Sequence, residues 1–258
     1  MKKKDKSQFI LALTILLILV ACNQADKKEE TSEATDSTIT ETIQPVEQDA
    51  VMDAVKVAPD LYKVLSDSMG IRIVEATYKP GDSSALHSHP DYAVYAVGES
   101  TATFYAKDGT KMENKMKTGT IMVRPGELHS VKNTGKTSIK VILVEVNRPT
   151  QTTSPDAATD ASKVAPALYK LKKDTLGIRV LEINYKPGQS SAMHSHPDNA
   201  LYVIEGGKVE FTGKDGTKNV MEFKKGMTMV LPADTHGVKN IGATTLKGIL
   251  VEVNRAMK

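Results

Sequence analysis

One segment of the sequence occurs twice, and this duplication limits the possible folds more than any other feature. Aligned with itself at an offset of 107 residues, the chain matches residues 54–148 to residues 161–255 without a gap, with 52 identities in 95 positions. Units of this length fold as separate domains, because solenoid repeats are shorter and need neighbours to bury a face. We therefore predict domains at 51–150 and 161–258, joined by a short polar linker at 151–160.

Within each copy the pattern is that of short β-strands. Residues 71–78 are β-branched and partly alternating, and this run ends at a Lys-Pro-Gly turn signal. An Asp-Gly pair at 108–109 lies between alternating segments and indicates a hairpin. Many short strands with frequent turns in about 100 residues predict a sandwich or a barrel. The expected fold class is all-β, with a short helix or turn within residues 57–69 and again within 164–176.

The start of the chain has the pattern of a bacterial export signal. Four lysines within the first six residues precede an apolar run at 9–20, which is too short to span a bilayer as a helix. The run ends Leu-Val-Ala-Cys, which resembles the lipobox of bacterial lipoproteins. The resemblance implies that residues 1–21 are a lipoprotein signal peptide and that Cys22, the only cysteine, is acylated. An ordinary cleaved signal followed by an incidental cysteine is the alternative.

The lipobox places the protein, as an expectation, in the bacterial cell envelope, lipid-anchored on the periplasmic or the cell-surface side. Residues 22–50 are rich in Thr, Glu, Ser, Asp and Gln, and their net charge is −6. Such a stretch cannot bury enough apolar surface to fold, so we predict a disordered acidic tether. Lysines elsewhere are dispersed and aromatic residues make up only 5% of the chain, which argues against nucleic acid as a partner.

All six histidines lie inside the repeat, three in each copy at the same positions: His87, His89 and His129, then His194, His196 and His236. On a strand, the i, i+2 spacing of the first two residues in each set places both rings on one face, with Cα atoms ~7 Å apart. Neutral imidazole is the commonest metal ligand. A lone histidine is more often a structural or surface residue, but this coincidence favours one divalent metal ion in each copy.

The spacing of these histidines resembles the two conserved motifs of cupins. The first copy reads Gly81-x5-His87-x-His89 and Gly119-x5-Pro125-x3-His129-x3-Asn133, and the second copy carries both motifs at 188–196 and 226–240. The resemblance implies a bicupin, that is, two tandem antiparallel jelly-roll barrels that hold the metal inside. Cupin barrels often pair, so it also implies intramolecular pairing of the two barrels. The metal's identity stays open among Fe(II), Mn(II), Zn(II), Ni(II) and Cu(II).

This sequence departs from the cupin pattern at one ligand. Cupins usually supply a Glu three or four residues after the second His, where both copies of this chain have small or aliphatic residues. Three neutral His leave the ion its full 2+ charge, and some cupin-like oxygenases use three His. The expected function is therefore metal-dependent, dioxygenase-like chemistry on a small molecule. The alternative is a non-catalytic cupin module that binds a small ligand at the cell envelope.

Four further residues are candidates for supporting roles. Asp91 and Asp198 lie two residues beyond the second His, where they could orient a ligand histidine, approach the ion directly or act as ordinary turn residues. Tyr95 and Tyr202 are catalytic candidates, because a tyrosine pointing into the barrel could donate a proton to a metal-bound ligand. A tyrosine packed in the core is the alternative for both.

Overall fold

The computed structural model describes residues 52–257, and nearly all of this part is β-strand with connecting turns. The predicted signal peptide, Cys22 and the acidic tether lie outside the described residues. Two four-residue helices, α1 (Ala54–Val57) and α2 (Ala161–Val164), precede the strands of the two repeats. Neither helix, and no other among the described residues, has the length and apolar character needed to cross a membrane.

Eighteen strands are present between residues 52 and 257, nine in each repeat. The first repeat contains β1 (Tyr62–Ser68), β2 (Ile71–Tyr78), β3 (His87–His89), β4 (Asp91–Ala96), β5 (Ser100–Ala106), β6 (Lys111–Met116), β7 (Ile121–Arg124), β8 (Glu127–Asn133) and β9 (Ile139–Val146). The second contains β10 (Tyr169–Thr175), β11 (Ile178–Tyr185), β12 (His194–His196), β13 (Asn199–Glu205), β14 (Gly207–Gly213), β15 (Lys218–Phe223), β16 (Thr228–Leu231), β17 (Asp234–Asn240) and β18 (Leu246–Val253).

Each repeat folds into a jelly-roll barrel of two antiparallel sheets. In the first repeat a five-stranded sheet in the order β1-β2-β9-β4-β7 packs on a four-stranded sheet in the order β3-β8-β5-β6. The second repeat has the same arrangement, β10-β11-β18-β13-β16 and β12-β17-β14-β15. The all-β fold class and the antiparallel jelly roll predicted from the sequence are therefore confirmed.

The short helix of each repeat lies further towards the N-terminus than the range predicted from the sequence. The Asp53 side chain accepts a hydrogen bond from the Val55 amide and caps α1, which ends just before Pro59. Residues 62–68 instead form β1, which pairs with β2 from Tyr62 opposite Ala76 onwards. A turn at residues 59–61 lies within the predicted range 57–69, whereas the helix precedes this turn and residues 62–68 supply a partner for the edge of β2.

Side chains of the central strand β9 alternate between two apolar environments. Val141 and Leu143 point into the barrel, where they pack with residues of both sheets. Ile142 and Val144 point the other way, into a cluster to which both repeats contribute. A strand that is buried on both faces has a nearly continuous run of apolar residues, and residues 139–146 have this pattern. Each apolar side chain of β9 therefore points either into the barrel interior or into the cluster that the two repeats share.

Candidate metal centres

The three histidines of each repeat come together inside the barrel because two short strands pair in a defined register. In the first repeat β3 pairs with β8 so that His87 lies opposite His129, and His89 follows on the same face of β3. All three side chains are buried, and their ligand atoms lie within 4.8 Å of one another. His194, His196 and His236 form the equivalent cluster through the pairing of β12 with β17. The structure therefore brings together both predicted ligand sets.

Other residues of the two motifs shape the backbone around these clusters. Gly81 and Gly119 have φ values of +88° and +84°, in the left-handed region that favours glycine, and each occupies a turn. The Asn133 side-chain amide donates to the carbonyl oxygens of Tyr78 and Thr137, at 2.9 and 2.8 Å. These contacts fix the loop that follows β8. The motif thus combines ligands with the turn residues that hold the ligand strands in place.

Hydrogen bonds at Nδ1 orient five of the six histidine rings, all except that of His129, so that Nε2 is the nitrogen that a metal ion could take. Nδ1 of His87 and of His194 lies 2.8 Å from the carbonyl oxygen of Ala85 and Ala192, respectively. A proton on Nδ1 makes this hydrogen bond and leaves a lone pair on Nε2. In the first barrel this lone pair accepts from the Tyr62 hydroxyl at 2.9 Å, so a metal ion on His87 would take the place of that hydrogen bond. Burial lowers the pKa of both His87 and His194 to about 4, which favours the neutral, ligand-competent ring.

The second histidine of each motif is held by a buried glutamate. His89 Nδ1 lies 2.7 Å from Glu145 Oε1, and His196 Nδ1 lies 2.7 Å from Glu252 Oε1. Carboxylates that accept from the outer nitrogen of a ligating imidazole fix its orientation and raise its basicity. This donor arrangement suits a divalent metal ion, so each triad could hold one.

Each glutamate is itself neutralised by an arginine. Arg72 donates from Nε to Glu145 at 2.6 Å and from Nη2 to Asp53 at 2.7 Å. A polar chain therefore runs from His89 through Glu145 and Arg72 to Asp53, and β2 and β9 place the two central residues directly opposite each other. The second repeat has the same chain: His196, Glu252, Arg179 and Asp160. Burying a carboxylate is tolerated here because it is both paired and hydrogen-bonded.

Sequence reasoning missed these glutamates, although the sequence contained a signal for them. Glu145 is the only acidic residue in the apolar strand β9, and Glu252 repeats it in β18. A charged side chain at a fixed position in a buried strand needs a partner. The periodicity of β9 places Glu145 on the same face as Val141 and Leu143, towards the barrel interior.

Asp91 and Asp198 do not contact the histidines, although the orienting role predicted for them requires such a contact. Asp91 accepts hydrogen bonds from the Gly126 amide and from Arg255 of the other repeat. Asp198 likewise accepts from the Ala233 amide and from Arg148. The strand turns at Pro90, so the aspartate that follows points away from the barrel interior. Its carboxylate therefore meets a loop and the neighbouring repeat, and Glu145 and Glu252 occupy the orienting role instead.

Tyr95 and Tyr202 lie on the opposite face of their strands from the histidines. Both belong to the apolar cluster shared by the two repeats, and their ring centroids are 5.7 Å apart. Tyr95 and Ala93 share one face of β4, and this face is the outer one. The inner face of β4 carries Tyr92 and Val94. The expectation that Tyr95 and Tyr202 point into the barrel is therefore wrong, and the catalytic role derived from it loses its geometric basis.

A different tyrosine lies beside the first histidine cluster. The hydroxyl of Tyr62 in β1 is 2.9 Å from His87 Nε2 and accepts a hydrogen bond of 2.7 Å from the Tyr78 hydroxyl. Burial raises the pKa of Tyr62 well above its usual value, so its hydroxyl stays protonated and acts as a donor. Tyr169 and Tyr185 repeat these two residues in the second barrel.

Two jelly-roll barrels, each enclosing a three-histidine cluster that could hold a metal ion, define a tandem cupin architecture. Residues 181–252 match the family model described as the cupin domain. No curated protein matches the chain.

Among solved structures, the chain is similar to oxalate decarboxylase of Bacillus subtilis, described in a study of its Mn(II) centres. The identity is 16%, the match covers 73% of this chain and 70% of that chain, and the TM-score is 0.52. A second oxalate decarboxylase structure, from work on proton-coupled electron transfer, gives the same identity, coverage and TM-score. At this identity the likeness shows the cupin fold.

Proposed function

We propose that this chain is a lipid-anchored protein of the bacterial cell envelope whose paired cupin barrels carry out metal-dependent, dioxygenase-like chemistry on a small molecule. The observation that carries the proposal is the cluster of three histidines inside each barrel, whose ligand atoms lie within 4.8 Å of one another and in which hydrogen bonds at Nδ1 orient five of the six rings. A divalent ion bound by three neutral ligands keeps open coordination positions and polarises water or an anionic ligand that binds there.

The protein's own residues position the reactants around such an ion. Glu145 holds the ring of His89, and Arg72 prevents Glu145 from being an unpaired buried charge. In the first barrel the protonated Tyr62 hydroxyl donates to His87 Nε2, and a metal ion bound there would free this donor for a water molecule or a similarly small ligand. The apolar barrel wall, with Val94 and Leu143, limits access of water to the site.

Metal content separates this proposal from a structural role for the histidines. Full-length mature protein is reconstituted with Fe(II), Mn(II), Zn(II), Ni(II) or Cu(II) in turn, and bound metal is measured after desalting. His89→Ala and His196→Ala should each remove about half of the bound metal. Ser88→Ala is the matched control, because Ser88 lies between two ligands on β3 and faces away from them. Less than about a tenth of an equivalent of every metal would refute the metal site.

Consumption of O2 by the metal-loaded protein, assayed on a panel of phenols and diketones, tests for enzymatic chemistry. Metal binding without turnover would favour the binding-module alternative.

The anchor has an independent test at Cys22. Cys22→Ser should block acylation, so the protein should leave the detergent phase or accumulate as the unprocessed precursor. Equal partitioning of wild type and variant, with the signal cleaved in both, would contradict the lipoprotein assignment. This outcome would leave the metal proposal untouched.

A further inference from the structure

The cavities beside the two histidine triads differ in size although the barrels have the same topology. In the first barrel the cavity lined by His89 and His129 has a volume of about 70 Å³, enough for a few water molecules. In the second barrel the cavity lined by His196 and His236 has a volume of about 550 Å³. Cavities of roughly 300–1,000 Å³ accommodate organic ligands of drug-like size. Only the second is therefore large enough for an organic molecule without rearrangement.

Three polar side chains on neighbouring strands close the cavity of the first barrel. Tyr92 lies opposite Arg124 in the pairing of β4 with β7. Both side chains donate to Glu127, Tyr92 through its hydroxyl and Arg124 from Nη2 at 2.6 Å. All three residues line the small cavity, so this network occupies the space beside the triad.

The second repeat has different residues at the same three positions, and the network is lost. Asn199 lies opposite Leu231 in the pairing of β13 with β16, where the first barrel has Tyr92 and Arg124. The Asn199 amide turns back to the carbonyl oxygen of Pro197, at 2.9 Å, instead of reaching across the barrel. Asp234 is largely exposed and lies 2.9 Å from His236. A shorter amide and an aliphatic side chain thus leave the space beside the second triad open.

The open cavity is mainly apolar but contains polar atoms that have no partner among residues 52–257. Its wall includes Leu201, Phe211, Met229, Leu231 and Leu250.

Two of the residues that line this cavity each carry a polar side-chain atom without a hydrogen-bond partner in the described part of the chain. The Tyr185 hydroxyl and the Asn199 Oδ1 are buried and find no hydrogen-bond partner within the described part of the chain. Both residues are more than nine-tenths buried. A buried donor or acceptor without a partner is costly, and a ligand group can satisfy it.

We propose that the second barrel is the ligand-binding barrel and that it takes a predominantly apolar small molecule with a single hydrogen-bonding head group. The head group lies at the His196–His236 end, within reach of the polar lining, and the apolar part fills the leucine-, phenylalanine- and methionine-lined wall. The first barrel excludes the same molecule because Tyr92, Arg124 and Glu127 fill the equivalent space. This inference adds a ligand class to the proposed function. It rests on the proposed function in one respect, namely that the head group faces the metal ion.

The duplication supplies the variants that test this inference. Asn199→Tyr combined with Leu231→Arg places in the second barrel the residues that the first barrel accommodates, and Asp234 remains as a carboxylate partner for the new arginine. The reciprocal variant, Tyr92→Asn with Arg124→Leu, opens the first barrel. The two probes are 4-hexylphenol and octanoate, which share an apolar chain and differ in their head group. Binding to the full mature chain is measured by isothermal titration calorimetry, with and without bound metal.

Wild type should bind at least one probe at about one site per chain, and the closing variant should weaken that binding by more than about tenfold. The opening variant should keep the wild-type site and gain a second, weaker one. Failure of wild type to bind either probe, or equal binding by the closing variant, would overturn the inference. Leu231→Arg alone serves the same purpose if the double variant does not give a wild-type circular dichroism spectrum. Probe binding without metal binding would refute the metal proposal and the metal-facing orientation of the head group, and would leave the ligand class of the second barrel in place. Metal binding without probe binding would refute this inference only.

Discussion

At the scale of single residues, Glu145 and Glu252 link the candidate metal ligands to the rest of each barrel. Each accepts from a ligand histidine with one carboxylate oxygen and from an arginine with the other. The histidines could be predicted from their spacing, because the same residue type recurs in both copies. The glutamates could not be assigned to them from sequence, because 56 residues separate His89 from Glu145 and only the pairing of β4 with β9 brings the strands together.

Glu145→Gln should weaken metal binding in the first barrel by about 10- to 100-fold and leave the second barrel unchanged. The amide keeps the shape of the side chain but loses the charge that both His89 and Arg72 face. A metal titration should therefore change from one class of sites to two. Glu113→Gln is the control, because Glu113 pairs with Lys115 at the surface and should have no effect. Identical titration curves for Glu145→Gln and wild type would contradict an orienting role.

The buried histidines also predict how the stability of the metal-free protein depends on pH. Burial lowers the pKa of His87 and His194 in the folded state to about 4, against an ordinary value of 6.5. The unfolded chain therefore takes up these protons first as the pH falls. The stability that they contribute is present above pH 6.5 and is lost between about pH 6.5 and about pH 4.

Urea denaturation in the presence of a chelator measures this dependence. The double variant His87→Gln/His194→Gln should lose less stability over the same interval than wild type, since other titrating groups are common to both. An equal loss in both proteins would contradict the assignment.

At the scale of secondary structure, strand β4 shows what alternation can and cannot predict. Because side chains of a β-strand alternate between its two faces, the sequence correctly places Ala93 and Tyr95 on one face and Tyr92 and Val94 on the other. It could not say which group faces the histidines, because both faces of this strand are buried. A polar face normally identifies the side of a strand that faces solvent, and β4 has none. Its outer face is buried because residues of the other repeat pack against it. Assigning the faces requires the three-dimensional pairing of the repeats.

Tyr95→Ala should lower the free energy of unfolding by about 3 kcal/mol and leave metal affinity unchanged, because the ring packs in the shared apolar cluster and not at the triad. Tyr95→Phe keeps the ring and should change neither property by much. Chemical denaturation and metal titration of the same samples check both statements. Loss of turnover in Tyr95→Phe, with stability and metal content unchanged, would instead restore the catalytic role expected from the sequence.

At the scale of the whole molecule, the repeats contact each other through equivalent surfaces. Ile73, Tyr95 and Val144 of the first repeat share one apolar cluster with Val180 and their other counterparts in the second. Around this cluster, Arg148 reaches Asp198 and Arg255 reaches Asp91.

Duplication alone could not identify these ion pairs from the sequence. Asp91, Arg148 and their counterparts are identical in both copies, and identity in two copies arises equally from a repeated active site and from a two-fold interface. The histidines lie in the two candidate metal centres, and these charged residues lie at the contacts between the repeats.

The contacts between the repeats predict how they behave when separated. Segments 51–150 and 156–258 should each give the circular dichroism of a β-protein, because every sheet between residues 52 and 257 draws its strands from one repeat. Each should nevertheless associate, since separation exposes the apolar face carrying Tyr95 or Tyr202. Mixing the two should give a one-to-one complex in sedimentation velocity.

Charge complementarity should make this mixed complex sensitive to the crossed ion pairs. Arg148→Ala in one segment together with Arg255→Ala in the other should weaken it, because each removes the partner of a partly buried aspartate. Lys117→Ala, at an exposed position, is the control and should leave association unchanged. If both segments are unfolded alone and fold only together, the repeats are halves of one domain and the predicted boundaries are wrong. If both fold but never associate, the contacts between the repeats do not stabilise the pair, and the proposed pairing of the barrels fails.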